Sequence, residues 1–187
     1  MKRTTKNVRS NLVRLMKAAV FLRLSRSVEP GYFRGYALSV GDELCMMAVL
    51  QQDVVTWNGY SILRISDIEE VSRDPYAKFA ENALGKLGVA KPKKPSVNIE
   101  NLETALREVS RLFPLVTIHH ETEDPDVCWI GSVQDCCDGE LSLLEIGPDA
   151  KWDRRPTVHK IATITRVDFG GSYEQALYLV GGRPRMR

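Results

Sequence analysis

No stretch of this chain approaches the roughly 20 consecutive apolar residues that a membrane-spanning helix requires. The basic N-terminus also lacks a signal-peptide core, because Ala18-Ala19-Val20-Phe21-Leu22 is closed by Arg23. Cysteine is scarce and irregular. Cys45, Cys128, Cys136 and Cys137 contain no C-x-x-C spacing, and a bridge between the adjacent Cys136 and Cys137 would be strained. These absences set aside a membrane-spanning protein and a disulfide scaffold, and lead us to expect a reduced, soluble, cytoplasmic one. Charge of one sign is missing twice. Met1 to Ser27 carries Lys2, Arg3, Lys6, Arg9, Arg14, Lys17, Arg23 and Arg26 without one acid. Leu112 to Ala150 carries Glu121, Glu123, Asp124, Asp126, Asp135, Asp138, Glu140, Glu145 and Asp149 without one Lys or Arg. The net charge of +2 conceals this segregation, which favours partners or self-association of opposite charge.

What is present is an ordinary globular balance, 43% hydrophobic and 27% charged, over 187 residues, enough for two small domains. Lys91-Pro92-Lys93-Lys94-Pro95-Ser96 reads as a linker, since its prolines stop a helix and its lysines hold it in water. We therefore expect a first domain over 1–90, a linker over 91–97 and a second domain over 98–187. Sliding one half onto the other by 96 residues places Gly35 on Gly131, Asp42 on Asp138, Ile65 on Ile161, Ile68 on Ile164, Val71 on Val167 and Ala80 on Ala176. Each half follows one grammar. A glycine opens an apolar segment, an acidic turn follows (Gly41-Asp42-Glu43; Cys136-Cys137-Asp138-Gly139), and a further apolar run comes next. Runs of four to eight residues bounded by Gly, Asp or Pro are strand-like. Glycine inside such a run marks a sharp bend. Asn98 is placed to cap a helix over 98–113, on which Leu102, Ala105, Leu106, Val109 and Leu112 recur at helical spacing. Its basic counterpart in the first half contains Leu12, Leu15, Met16, Ala19 and Phe21 in one helix-prone segment. The order is helix, then about five short strands, twice over.

This order resembles the Sm-like superfamily, which includes bacterial host-factor RNA chaperones. In the second half the strands would be Val116-Thr117-Ile118-His119, a bent Cys128 to Val133, "DGELSLLEI", "TVHKIAT" and "ITRVDF". In the first half "GYALSVGDELCMMAVL" and "GYSILRISDIEEV" follow the two parts of the Sm pattern in outline. The resemblance implies two tandem Sm/SH3-like five-stranded barrels, mainly β, each preceded by a helix. The chain also resembles a set of uncharacterised bacterial proteins ending in "DFGG-x-Y-E-x-A-L", here Asp168 to Leu177. Sm proteins place Asp and Asn in the turn between strands two and three, and Arg-Gly before strand five. This chain has Asp42-Glu43 and Asp138-Gly139, then Arg64-Ile65 and Lys160-Ile161; the host factors' Lys-His pair is inverted, as His159-Lys160.

Few residues suggest chemistry. Asp168-Phe169-Gly170 matches a kinase metal-binding tripeptide, but the Gly-rich loop, strand Lys and catalytic-loop Asp that such a site needs are missing. We read it as a strand end, with Phe169 buried, Gly170-Gly171 reversing the chain and Asp168 capping or salt-linking the turn. Adjacent His119 and His120 would point to opposite faces of a strand, which argues against one shared metal and for a surface or edge role. Cys136 with His159 as nucleophile and base lacks an orienting third group. We expect no catalytic residue, metal or cofactor. Arg9, Arg14, Lys17 and Arg23, helped by Arg64, His159 and Lys160, could track nucleic-acid phosphates, with Arg183, Arg185 and Arg187 adding to them. Alternatively, the basic helix could dock on the acidic half of another copy. Trp57, Trp129 and Trp152 could stack bases, although Trp129 beside Ile130 reads as core. The leading expectation is a non-catalytic binding or scaffold protein, forming a homo-oligomer or an internal barrel pair. An RNA-binding Sm-like protein comes second and an enzyme third.

Overall fold

The structure is a computed structural model that describes residues 2–51, 53 and 55–184; Arg185 and Arg187 lie outside the described residues. The chain divides into two compact units, Met1–Pro95 and Ser96–Arg187. The boundary falls inside the Lys/Pro segment. That segment is held against the first unit, where Tyr60 Oη donates to the Lys93 carbonyl (2.8 Å) and the Lys91 ammonium sits 3.5 Å above the Tyr36 ring.

The first unit begins with helix α1 (Lys2–Lys17) and continues through strands β1 (Leu22–Arg26), β2 (Glu29–Val40), β3 (Leu44–Gln51) and β4 (Thr56–Arg64). A 3₁₀ turn over Ile65–Asp67 leads to β5 (Ile68–Arg73), and helix α2 (Ala77–Lys86) closes the unit. The second unit repeats the order as α3 (Leu102–Leu112), β6 (Val116–His119), β7 (Cys128–Cys137), β8 (Glu140–Glu145), β9 (Thr157–Lys160), a 3₁₀ turn over Ile161–Thr163, β10 (Arg166–Phe169) and α4 (Ser172–Gly181). The strand pairings within each unit are antiparallel. Strand order is β5-β1-β2-β3-β4 in the first unit and β10-β6-β7-β8-β9 in the second. The protein is thus mainly β, with four helices. Within each unit the sheet is bent but open: among the described residues no ladder joins its two ends. The expectation of two tandem, partly open five-stranded barrels is met in part: five bent strands follow a helix in each unit, and they do not close into a barrel. The one-turn 3₁₀ link sends the chain from one end of the sheet to the other without pairing the strands it connects.

The 96-residue repeat is visible in backbone bonds. Ile65 N donates to Glu43 O (2.8 Å) and Ile161 N donates to Gly139 O (2.9 Å). Gly35 and Gly131 mark the bend, and the reason is contact distance. A Cβ on Gly35 would lie 1.9 Å from the Ala48 carbonyl oxygen, and one on Gly131 would lie 2.4 Å from that of Leu144. Gly35 also has φ +147°, which side-chain-bearing residues rarely adopt. The turn between β7 and β8 is Asp138-Gly139, both at positive φ, the two-residue hairpin chemistry that Asp-Gly favours.

Helix α1 buries Val8, Leu12 and Leu15 against Leu22, Leu24, Cys45, Met47, Leu63 and Ile65. It ends earlier than its apolar residues suggest. Ala19 turns to φ +48°, with Ala19 N donating to Met16 O (2.9 Å) and Val20 N to Leu15 O (3.0 Å), so Phe21 leads into β1. The expected helix over 98–113 starts at Leu102. Asn101 caps it by accepting from Thr104 N (2.8 Å), whereas Asn98 is spent on a turn, accepting from Glu100 N (2.9 Å). The segment read as a fourth strand through Thr163 stops at Lys160, where the 3₁₀ turn begins. Helices α2 and α4, not anticipated, seat Ala77, Ala80 and Leu84 on Phe21, Tyr36 and Leu50 in the first unit, and Leu177 on Leu115 and Ile146 in the second. Among the described residues no helix is long and apolar enough to cross a membrane.

Substituting alanine at either bend glycine forces a Cβ into a backbone carbonyl that cannot swing away. Gly35→Ala and Gly131→Ala are each expected to destabilise the protein by about 3 kcal/mol or more, read as a lower midpoint in urea unfolding. Gly31→Ala, with open space around its Cβ but the same positive-φ problem, is expected to cost about 1 kcal/mol.

Candidate functional site

The residues proposed to follow phosphates do not form one free set. Arg9 staples α1 to the β2–β3 turn, its Nε donating to Gly41 O (2.8 Å) and its Nη2 pairing with Asp42 (2.8 Å). The second unit repeats this staple with different residues: Arg107 Nη2 donates to Cys136 O (2.8 Å), and Gly139 N donates to Glu103 Oε2 (3.3 Å). Arg23 lies on β1, with Nε toward Ser72 Oγ (3.4 Å) and its guanidinium 4.6 Å from the Tyr32 ring centre. Arg14 and Lys17 are exposed at the end of α1, Arg14 reaching Asn11 Oδ1 (3.3 Å). Arg64 ends β4. His159 and Lys160 are neighbours on β9, the first half-buried and the second exposed. Trp57, Trp129 and Trp152 are all half-buried, and Trp152 Nε1 donates to the carbonyls of Gly181 (3.3 Å) and Gly182 (3.2 Å).

The densest polar arrangement is in the second unit, and it corrects the surface reading of the histidines. His119 and His120 are both buried. Their rings do face different partners. His119 Nε2 lies 3.1 Å from Asp168 Oδ2, and Arg166 Nη2 lies 3.0 Å from Nδ1 and 3.1 Å from Nε2. Arg166 also pairs with Asp168 (3.2 Å) and with buried Glu121 (3.3 Å), and Glu121 Oε2 lies 2.7 Å from the Thr165 hydroxyl. Asp168 therefore salt-links the β6–β10 pair, while Phe169 is fully buried against Phe113. The strand-end reading of Asp168-Phe169-Gly170 stands.

His120 begins a second chain of bonds. Thr163 Oγ1 lies 2.9 Å from His120 Nδ1, His120 Nε2 lies 3.2 Å from His159 Nδ1, and His159 Nε2 lies 3.0 Å from Thr157 Oγ1. Thr157 Oγ1 donates to Glu145 Oε1. Glu145 is an acceptor only, so Thr157 donates to it, while the Thr163 hydroxyl is shared between His120 Nδ1 and the Lys160 carbonyl (3.0 Å). Burial, reinforced by the neighbouring His120, lowers the His159 pKa below its ordinary range, with Glu145 opposing. The rings stack at 5.3 Å, and Trp129 packs edge-on to both. These groups are spent on one another. Cys136 is no nucleophile for His159: it is buried, its Sγ donates to Glu103 O (3.6 Å), and burial pushes its thiol up to about 11. Among the described residues no group of three His, Cys, Asp or Glu side chains is arranged to hold a metal ion.

The outer strands also present exposed side chains among the described residues. β5 stands at one end of the first sheet and β9 at one end of the second. β5 exposes Glu69 and Glu70; β9 exposes Val158 (63%) and Lys160, preceded by exposed Arg154 and Arg155. Nothing in one dimension singles out Thr157, Thr163, Glu145 or Asp168 as partners of histidine, because strand pairing brings them together.

The depressed His159 pKa has a definite sign. Above the unfolded histidine pKa, near 6.5, both states are neutral there; as pH falls below it, the unfolded chain takes a proton that the folded chain resists. Stability is therefore expected to drop between about pH 7 and 5.5, and His159→Asn is expected to flatten that slope while leaving the lower carboxylate slope intact, measured by thermal unfolding across pH. Comparison with protein-family models, with curated proteins and with solved structures finds no match to this chain.

Proposed function

We propose that this protein is a non-catalytic scaffold built from two Sm-like, partly open units, which associates with further copies of itself through its outer strands. The observation that carries the reading is an excess of opposite charge on two strand edges: Glu69 and Glu70 against Arg73 on β5, and Arg154, Arg155 and Lys160 against Asp153 beside and on β9. An outer strand offers unpaired backbone donors and acceptors, and is a template for another strand unless protected. Opposite charges draw β5 of one copy to β9 of the next and disfavour β5–β5 or β9–β9 pairing. Such a contact is head-to-tail, so it propagates until it closes as a ring. Val158 adds an apolar side chain to the contact.

Support for RNA binding is thinner. Of its seven residues, Arg9, Arg23 and His159 engage neighbours in the fold, and Arg14 and Lys17 are the exposed remainder of the helix set. The chemistry of the second unit supports a non-catalytic role, since its histidines are held by one another and by charged partners.

Sedimentation velocity at about 0.1 M salt is expected to give a defined oligomer without nucleic acid. Glu69→Lys with Glu70→Lys is expected to yield monomer, and adding Arg155→Glu with Lys160→Glu to the same chain is expected to restore the oligomer. A wild-type monomer at every concentration overturns the reading. If that monomer binds single-stranded RNA with steep salt dependence, lost in Arg14→Ser with Lys17→Ser, RNA binding takes its place.

A further inference from the structure

The two units carry a cleft in the same place, beneath the closing helix and beside the residue that precedes the first strand. In the second unit it is about 220 Å³ and lined by Phe113, Leu115, Gly170, Tyr178 and Leu179, with Glu174 at its edge. Glu174 is occupied there, its Oε1 accepting from the Thr117 hydroxyl (2.6 Å). In the first unit the cleft is about 280 Å³, walled by Phe21, Leu50, Tyr76, Phe79 and Ala80, and it contains Arg34 and Asp74. A shift of 96 residues puts Ile130 where Arg34 stands and Gly170 where Asp74 stands. The same frame therefore folds in the second unit without an ion pair at this place.

That comparison removes the simplest reason for the pair. A buried ion pair brings little net stability, because desolvation offsets attraction, and the sister unit shows an apolar alternative. Asp74 is 1% exposed in its side chain, and its Oδ2 lies 3.2 Å from Arg34 Nε. Its Oδ1 accepts from Tyr76 N (2.7 Å), which fixes the carboxylate. The Tyr76 ring stacks on the guanidinium at 5.5 Å. Asp74 thus pairs with Arg34 by charge on its Nε side, without a hydrogen bond there, and Tyr76 covers one face. Arg34 lines the cleft, and among the described residues no hydrogen bond engages its terminal nitrogens.

We propose that this cleft binds a small carboxylate with an apolar body, such as an aryl carboxylate or a medium-chain fatty acid. A guanidinium paired on its Nε side presents its two terminal N–H groups as a planar fork, which matches both oxygens of one carboxylate. Phe21, Leu50 and Phe79 take the hydrocarbon part; Phe79 and Tyr76 are 67% and 61% exposed, large apolar surface that a ligand would cover. The volume suits a small ligand. The Asp74 charge, already present, disfavours a dianion relative to a monoanion. This site is independent of the strand edges and of any oligomer they form.

The test is calorimetric titration of the full chain with octanoate and with benzoate, against octanol, benzyl alcohol and inorganic phosphate. A Kd between about 10 μM and 1 mM for a carboxylate, with its alcohol at least about tenfold weaker, is expected. Arg34→Gln is expected to abolish the preference for carboxylate. The second variant, Arg34→Ile with Asp74→Gly, copies the residues of the sister unit and so keeps a foldable frame. It is expected to melt cooperatively and to lose carboxylate binding. No binding of either carboxylate to the folded wild-type protein up to about 10 mM overturns the proposal. Equal binding of acid and alcohol, equal binding of phosphate, or binding retained in the second variant overturns it too.

Discussion

In each unit, a strand passes so close to its neighbour's carbonyl that no side chain fits between them. Gly35 meets Ala48 in the first unit and Gly131 meets Leu144 in the second. At these points one long strand bends enough to pair with the first strand along one stretch and the third along another. Gly35 pairs with Leu22 on one side and Val49 on the other; Gly131 pairs with Val116 and Glu145. The bend lets a five-strand sheet wrap an apolar interior that a flat sheet of this length could not enclose. The leading helix, the 3₁₀ link and the closing helix all take their places relative to that curve.

On this common frame the two units spend their polar residues differently. The helix-to-turn staple is kept as a geometry but made from Arg9 and Asp42 in one unit and from Arg107 and Glu103 in the other. The second unit concentrates histidine, threonine and carboxylate between β6, β9 and β10, linked to one another by hydrogen bonds. Among the described residues the first unit sets Arg26 between Glu29 and Asp67, and Arg34 against Asp74. A duplicated fold therefore acts as its own control: what both units share serves the fold, and what one unit alone carries calls for another explanation. The Arg34–Asp74 pair is of the second kind.

Much of the frame was legible in the chain itself. Glycines 96 residues apart, an acidic turn after each bent strand and the Lys/Pro segment are local features, and local sterics and solvation act on them directly. Asp138-Gly139 specifies its turn because only such residues adopt positive φ at both positions cheaply. Less legible were α1's end and α3's start. Alanine rather than glycine takes the left-handed position at Ala19, and two asparagines compete at Asn98 and Asn101. Helices α2 and α4 are short, and burial of their few apolar residues against the sheet supplies what their sequence periodicity does not.

The two-fold repeat, the mainly β character and the segregation of charge follow from residue type and spacing along the chain. Whether each sheet closes, and which charges are engaged by neighbours, depends on contacts between distant residues. Arg9 looked like a phosphate ligand and is tied to a turn 32 residues away; His119 and His120 looked like surface residues and are buried. Arg34 and Asp74, unremarkable 40 residues apart, meet in one cleft. The physical reason is that a charge acts on whatever lies within a few ångströms, and strand pairing, not sequence proximity, sets those neighbours.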